Sequence, residues 1–397
     1  MRIAMIGAKG VPATVGGVER HVEELATRLV ASGDVVTVYG RPWYTKRAPW
    51  SVWMQRGVRC VILPSIATKH WDAISHTLFA TIHAMRERPD VYHFHGVGPA
   101  LLAFLPRCLH PRARVIVTFH CVDRRHAKWG WFARFVLMAG EWAACRFPHE
   151  TIAVSEMIRG YCRERYRCDA TVIPNGITVA PLPDQTATEE VLASFGLQPQ
   201  RYFLLVARLV PHKAVHVAID AFRVFRREHP EYDGVALVVV GGSAFTDAYV
   251  GELSMRAGGD AAIHFLGPQY GSTLQALFHA CLAFVHPSMS EGMPIVVLEA
   301  AAAGVVPIVS DIPEHREVVD RIGGFLFRVG DVHDCARMLT FACIVRSSLP
   351  QVGRAIQAAV LRCYHWDDIA QTTQQRYRVG CGSAAIASEP TLRLAIR

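Results

Sequence analysis

No apolar run reaches the roughly 18 to 20 residues that a membrane-spanning helix needs without a charge or a proline in it, so no span is expected. The eleven cysteines of the 397 residues are odd in number and scattered. With no CxxC pair and no Cys/His group at zinc spacing, they read as reduced, mostly buried thiols, and no metal site follows from them. Low-complexity blocks and short-period repeats are also missing. The opening MRIAMIGAKG lacks the long apolar core of a secretory signal and reads as a first strand and its loop, so a cytoplasmic location is expected.

Hydrophobic residues make up 51% and charged residues 19%, ample for buried cores and contrary to disorder. The length suits two domains. Charge is uneven: residues 1–180 hold 24 Lys and Arg against 13 Asp and Glu, while the remainder holds 18 against 21. A basic first half fits a polyanion or an anionic membrane surface. Nucleic acid is not expected, because no helix-turn-helix, zinc-finger or RNP-like signature accompanies the charge. The high apolar content favours docking on an anionic lipid face, with a solvated basic surface that has no partner as the alternative.

Short apolar runs alternate with longer helical patterns. Strands are predicted at Arg2 to Gly7, Val35 to Tyr39, Val58 to Leu63, Val91 to His95, Arg114 to Phe119 and Thr151 to Val154, with helices between and after them at Glu19 to Leu29, Trp131 to Cys145 and Ser155 to Tyr166. Strands apolar nearly throughout, alternating with helices, predict a doubly wound α/β domain with its parallel sheet covered on both faces. The loop GAKGVPATVGGVE after the first strand lacks GxGxxG spacing and is too long for that turn, so a nicotinamide cofactor is not expected. VIPNGI at 172–177 is turn chemistry, and 178–188, with Pro181 and Pro183, reads as a linker. The same architecture then repeats, with strands predicted at Tyr202 to Ala207, Leu237 to Gly241, Ala261 to Leu266 and Leu282 to His286. Residues after Arg378 read as a weakly ordered tail.

The densest stretch is SEGMPIVVLEAAAAGVVPIVSD, 290–311. Pro294 suits a first helical turn, where a missing N–H costs nothing, so a helix is predicted to start close to Gly292. Its first N–H groups would face an anion such as a diphosphate. Glu291 precedes that point and Glu299 lies on the helix behind it. Arg208 and Lys213, with four residues between them across a strand-to-helix turn, can converge on one diphosphate as charge develops on it. In RRHAKWGW, 124–131, cations mixed with tryptophans suit an acceptor carrying sugar and phosphate.

With two glutamates separated by seven residues, EGMP in front and LEAAAAG behind, the chain resembles the retaining GT-B glycosyltransferases of family 4, from Arg2 to about Tyr377. AKWG also looks like the capsule and cell-wall rhamnosyltransferase branch. The resemblance implies two Rossmann-like domains facing a central crevice: 1–177 for the acceptor, 178–362 for the nucleotide sugar, a helix at 363–379 crossing back to the first, and a tail, 380–397. It implies a sugar moved from a nucleotide diphosphate to a glycan or polyprenyl-diphosphate-linked acceptor, with retention, in bacterial surface polysaccharide synthesis.

By position, the resemblance implies that Glu291 faces the donor sugar, Glu299 holds the ribose, and the turn Gly292, Met293, Pro294, Ile295 and Val296 meets the diphosphate with its N–H groups beside Arg208 and Lys213. Gly16 and Gly17 lie near the donor phosphates, His120 beside the sugar, and Gly241 and Leu266 toward the nucleotide; Arg124, Arg125, Lys128 and Trp129 are expected on the acceptor side. Catalysis is assigned to His120, Arg208, Lys213 and Glu291. Without an Asp-x-Asp signature no metal and no cofactor beyond the co-substrate are expected. The rival expectations are a nucleotide-sugar epimerase or phosphorylase on the same fold, or a non-catalytic scaffold subunit.

Overall fold

The structure, a computed structural model, describes residues 1–379 apart from 15, 69–70, 123, 125–129, 179–182 and 244–245. The tail expected at 380–397 and the acceptor-side residues Arg125, Lys128 and Trp129 lie outside the described residues.

The first sheet contains β1 (Arg2–Ile6), β2 (Val35–Gly40), β3 (Val52–Gln55), β4 (Val58–Ile62), β5 (Val91–His95), β6 (Arg114–Phe119), β7 (Glu150–Ala153) and β8 (Thr171–Val172). Their order is β3-β4-β2-β1-β5-β6-β7-β8, parallel throughout except for the antiparallel β3–β4 edge pair. β5 is wholly buried, as a strand covered on both faces must be. On one face Ile3, Met5, Val36, Val38 and Val91 pack with Val22 and Leu25 of helix Gly17–Ala31 and with Trp366 and Tyr377 of helix Trp366–Arg378. On the other, Ala4, Ile6, Tyr92 and Phe94 pack with Ala80, Ala144 and Ile158 from three further helices.

The second sheet contains β9 (Tyr202–Val206), β10 (Ala236–Val240), β11 (Ile263–Gly267), β12 (Ala283–His286), β13 (Pro307–Ser310) and β14 (Phe325–Phe327), ordered β11-β10-β9-β12-β13-β14. All its pairs are parallel. Strand order reverses at β1/β5 in one sheet and at β9/β12 in the other. Ligands of doubly wound sheets bind beyond the carboxyl ends of the strands at such reversals, and here the two sets of loops face each other.

Two expectations need correction. The segment read as a linker, 178–188, ends in a helix: Gln185–Ser194, capped by the Asp184 carboxylate, which accepts from the Ala187 N–H at 3.2 Å. The helix expected near Gly292 spans Ile295–Ala302, because Pro294 takes the N-cap position rather than the first turn. The helix Asp72–Glu87 was not foreseen, since its pattern is inverted: His76, Thr77, Ala80, Thr81 and Ala84 face inward, while Leu78, Phe79 and Ile82 are exposed.

The chain's last described helix returns to the first sheet. Gln374 Nε2 donates to Asp34 at 2.7 Å, and the Tyr377 hydroxyl bonds His93 Nδ1 at 2.6 Å. His93 Nε2 is already bonded to Thr118 Oγ1 at 2.7 Å. Tyr377→Phe therefore leaves a buried imidazole nitrogen unpaired, and is expected to destabilise the fold by about 1–3 kcal/mol. An unchanged thermal midpoint would contradict this docking.

Candidate active site

The loop after β9 carries Arg208, exposed and with no carboxylate partner among the described residues, and Lys213, at the end of the short turn Pro211–Lys213. It is laced to the loop after β12: the Met289 N–H donates to His212 O at 2.8 Å and Ser288 Oγ to the same oxygen at 3.2 Å. This lacing brings the Lys213 ammonium onto Glu291 Oε1, to which His286 Nε2 also donates at 2.8 Å. Both partners of the ion pair are nearly buried, with side chains 13% and 10% exposed. Burial alone would raise the Glu291 carboxyl; Lys213 and the His286 hydrogen bond outweigh it and hold the group well below the usual range. Glu291 is a fixed anion and a poor base.

Among the expected diphosphate N–H donors, Pro294 has none and the Ile295 N–H is spent on Met293 O at 2.9 Å. The Gly292, Met293 and Val296 N–H groups have no acceptor among the described residues. The start of helix Ile295–Ala302 thus keeps three free donors and its positive pole. Gly292 is required here by close approach: a Cβ would stand 1.9 Å from the His120 carbonyl oxygen. The Asn175 N–H donates to Met293 Sδ at 3.1 Å beside that contact.

Opposite stands helix Gly17–Ala31, whose N-cap Gly16 has φ 111°, open to glycine and not to ordinary side chains. Gly17 abuts Ile295, so the first turns of the two helices meet across the crevice. Arg20, one turn in, reaches over to Glu299 at 3.0 Å. Burial pushes the Glu299 carboxyl up and Arg20 opposes that shift.

His120, at the end of β6, belongs to a buried group. Its Nε2 lies 3.2 Å from His95 Nδ1, and its ring packs edge-on against that of His21 at 4.9 Å. His21 Nδ1 bonds the Asn175 side-chain oxygen at 2.7 Å, which fixes its tautomer as Nδ1–H. Burial, with smaller repulsions among the imidazoles, drives His93, His95 and His120 well below the normal histidine range; burial takes His21 to about 4 against its hydrogen bond to Asn175.

The remaining expected residues are more dispersed. The Gly241 N–H bonds Gly267 O at 2.9 Å, and Leu266 O accepts from Gln269 Nε2 at 2.7 Å. Arg124 turns inward to Glu141 (3.0 Å) and Tyr161 (2.8 Å), Glu141 being fully buried and also bonded by Tyr161 and Tyr166 at 2.6 Å each. Its guanidinium is thus engaged by buried groups of the first domain. Two groups bring three potential metal-ligand atoms within 4.8 Å: His21, His95 and His120, and His286, Glu291 and His315. The first group joins distant segments, so spacing along the chain could not reveal it; in the second, the ammonium of Lys213 already occupies Glu291.

Arg20, His21, His95, His286 and Asn175 were missed. The one local signal was Arg20, a cation in the first turn of a helix, where the macrodipole disfavours it.

Two doubly wound sheets facing one crevice define the GT-B glycosyltransferase fold. The structure superposes on sucrose-phosphate synthase from Thermosynechococcus elongatus with a TM-score of 0.80, covering 95% of this chain and 98% of that one at 19% identity. It superposes on Anabaena HepE in complex with UDP and glucose with a TM-score of 0.78, covering 96% and 100% at 18% identity. Residues 15–180 match the family described as Glycosyltransferase Family 4 and residues 188–344 the one described as Glycosyl transferases group 1. Relatives include the glycogen synthase of Mycobacterium tuberculosis, 29% identical over 95% of this chain and 94% of that protein, and its phosphatidyl-myo-inositol mannosyltransferase, 27% identical over 97% and 98%. The chain belongs to the GT-B glycosyltransferases of family 4, group 1 type.

The buried histidines set a pH dependence. Their folded-state pKa values lie below the unfolded value near 6.5, so acidification protonates the unfolded chain first. Stability is fully present above about pH 6.5 and falls toward pH 4, on the order of 1.4 kcal/mol per pH unit for each such group. The urea midpoint is expected to drop steeply over that window; a flat profile would contradict neutral burial.

Proposed function

We propose that the protein transfers a sugar from a nucleoside diphosphate to a glycan or lipid-linked acceptor, with retention and without a metal, at an anionic membrane face. The carrying observation is the pair of facing helix starts, with Gly292, Met293 and Val296 N–H groups open and Arg208 and Lys213 on the rim. Such a cradle stabilises charge developing on a departing diphosphate through fixed dipoles and cations, the role a divalent ion serves elsewhere. The diphosphate completes it as the negative partner; UDP occupies HepE, and that likeness supports the reading.

The proton accounting supports retention. Glu291, held ionised by Lys213 and His286, is a weak base for an attacking hydroxyl. The departing phosphate oxygen is the stronger acceptor, which places the acceptor hydroxyl on the leaving-group face. His120, neutral and beside the crevice, is suited to hydrogen-bond the sugar.

Membrane docking is supported by a surface of the first domain. Helix Asp72–Glu87 exposes Leu78, Phe79 and Ile82; helix Phe104–Leu109 exposes Phe104 and Leu109; helix Trp131–Arg146 exposes Trp131, Phe135 and Trp142. The rings of Phe104 and Trp142 both pack on Phe147, joining these helices. Arg86, Arg107, Arg134 and Arg146 on the same helices are exposed, and none has a carboxylate partner among the described residues. Aromatic and aliphatic groups ringed by arginine suit an anionic bilayer. No described helix is long and apolar enough to cross one. A role in bacterial surface polysaccharide synthesis fits lipid-borne acceptors.

Lys213→Ala is expected to lower turnover by roughly 10²–10³, the effect of losing one charge-stabilising group, and also to lower the thermal midpoint, since it strands the buried Glu291 carboxylate; wild-type kinetics would remove Lys213 from the mechanism. NMR of the product should show the donor's anomeric configuration, and inversion would overturn the proton accounting. The protein should sediment with vesicles containing phosphatidylglycerol and not with pure phosphatidylcholine; Phe135→Ser with Arg134→Gln should abolish this, and equal binding of that variant would contradict the surface.

A further inference from the structure

We propose that Arg20 is a donor-contacting residue: when the nucleotide's ribose takes Glu299, the guanidinium released from that carboxylate closes on the diphosphate. The proposal rests on the nucleotide-donor reading above and adds a cation supplied by the opposite domain.

Arg20 sits in the first turn of helix Gly17–Ala31, its N–H bonded to Gly16 O at 3.2 Å. A cation there opposes the helix dipole, so helix stability does not explain it. Its side chain is 47% exposed and adds nothing to the core, while its tip lies 3.0 Å from Glu299 Oε1. Glu299 is the fifth residue of helix Ile295–Ala302, so its backbone stands about 6 Å along the axis from the helix start. The guanidinium at that carboxylate is therefore within a rotamer change of the free N–H groups of Gly292, Met293 and Val296.

The pair is suited to exchange. Half in water, such an ion pair contributes only about 0–1 kcal/mol, so ribose hydroxyls can displace it. Glu299 itself, 16% exposed, needs a partner at all times, because an unpaired buried carboxylate is costly. Arg20 holds it in the empty crevice and the ribose holds it in the occupied one. The freed fork matches two phosphate oxygens in a way no single ammonium does. With Arg208 and Lys213 on one rim and Arg20 on the other, the diphosphate is gripped from both domains, which couples donor binding to crevice closure.

The test is calorimetric titration of wild type, Arg20→Gln and Arg20→Lys with UDP, GDP, dTDP and ADP, and with the parent nucleoside of whichever diphosphate the wild type binds. Arg20→Gln should weaken the diphosphate by about tenfold or more, the worth of a charge-assisted bond, and leave the free nucleoside unchanged or tighter. Arg20→Lys should fall between. Undiminished diphosphate affinity in Arg20→Gln would overturn the proposal. So would an equal loss for diphosphate and nucleoside, which would make the pair a clasp that only holds the crevice shut. If wild type binds none of the four diphosphates, the nucleotide-donor reading itself fails, a result distinct from both.

Discussion

The close approach of two helix starts, one from each domain, sets the terms for the whole crevice. Gly17 abuts Ile295, and Gly292 lies so close to the His120 carbonyl that no side chain fits between. Each start is the positive pole of its helix, and Arg20, Arg208 and Lys213 add three full charges around them. Such a concentration of one sign needs anions. The molecule supplies Glu291, bound to Lys213, and Glu299, bound to Arg20. Both are partly or largely withdrawn from water, so neither can lose its partner cheaply. In the proposed reading a diphosphate with sugar and ribose attached would bring its own charge to the poles and its hydroxyls to the carboxylates.

The other wall is built on neutrality. His21, His93, His95 and His120 lie among buried neighbours, and burial keeps them uncharged. Tyr377 from the returning helix and Asn175 from the turn between the domains fix two of these rings by hydrogen bonds. The returning helix and the inter-domain turn thereby position the side chains around His120 as well as tying the domains. A neutral, buried wall facing a cationic one would hold a donor sugar in a low-dielectric space, where fixed dipoles act with most effect.

The sheets were legible in the sequence because their strands are apolar nearly throughout and alternate with helices; β5 and β6 begin and end where the pattern places them. Glu291, Glu299, Arg208 and Lys213 were legible because each pair is local, within one strand-turn-helix unit. The histidine group and the Arg20–Glu299 pair were not, since they join residues tens to hundreds of positions apart that only the fold brings together. Helix Asp72–Glu87 escaped for a different reason. Its inward face is small and polar and its outward face apolar, so the amphipathic rule points the wrong way. The Gly292 helix start was misplaced by three residues because proline serves equally at a cap and in a first turn.

The central claim is that fixed protein charge alone holds the diphosphate. The most direct measurement is titration of the wild-type protein with its nucleoside diphosphate in buffer stripped of divalent ions, beside the Arg208→Ala, Lys213→Ala double variant. Affinity unaffected by chelator and lost in the double variant is the expected result. Binding that emerges only when magnesium or manganese is restored would contradict it.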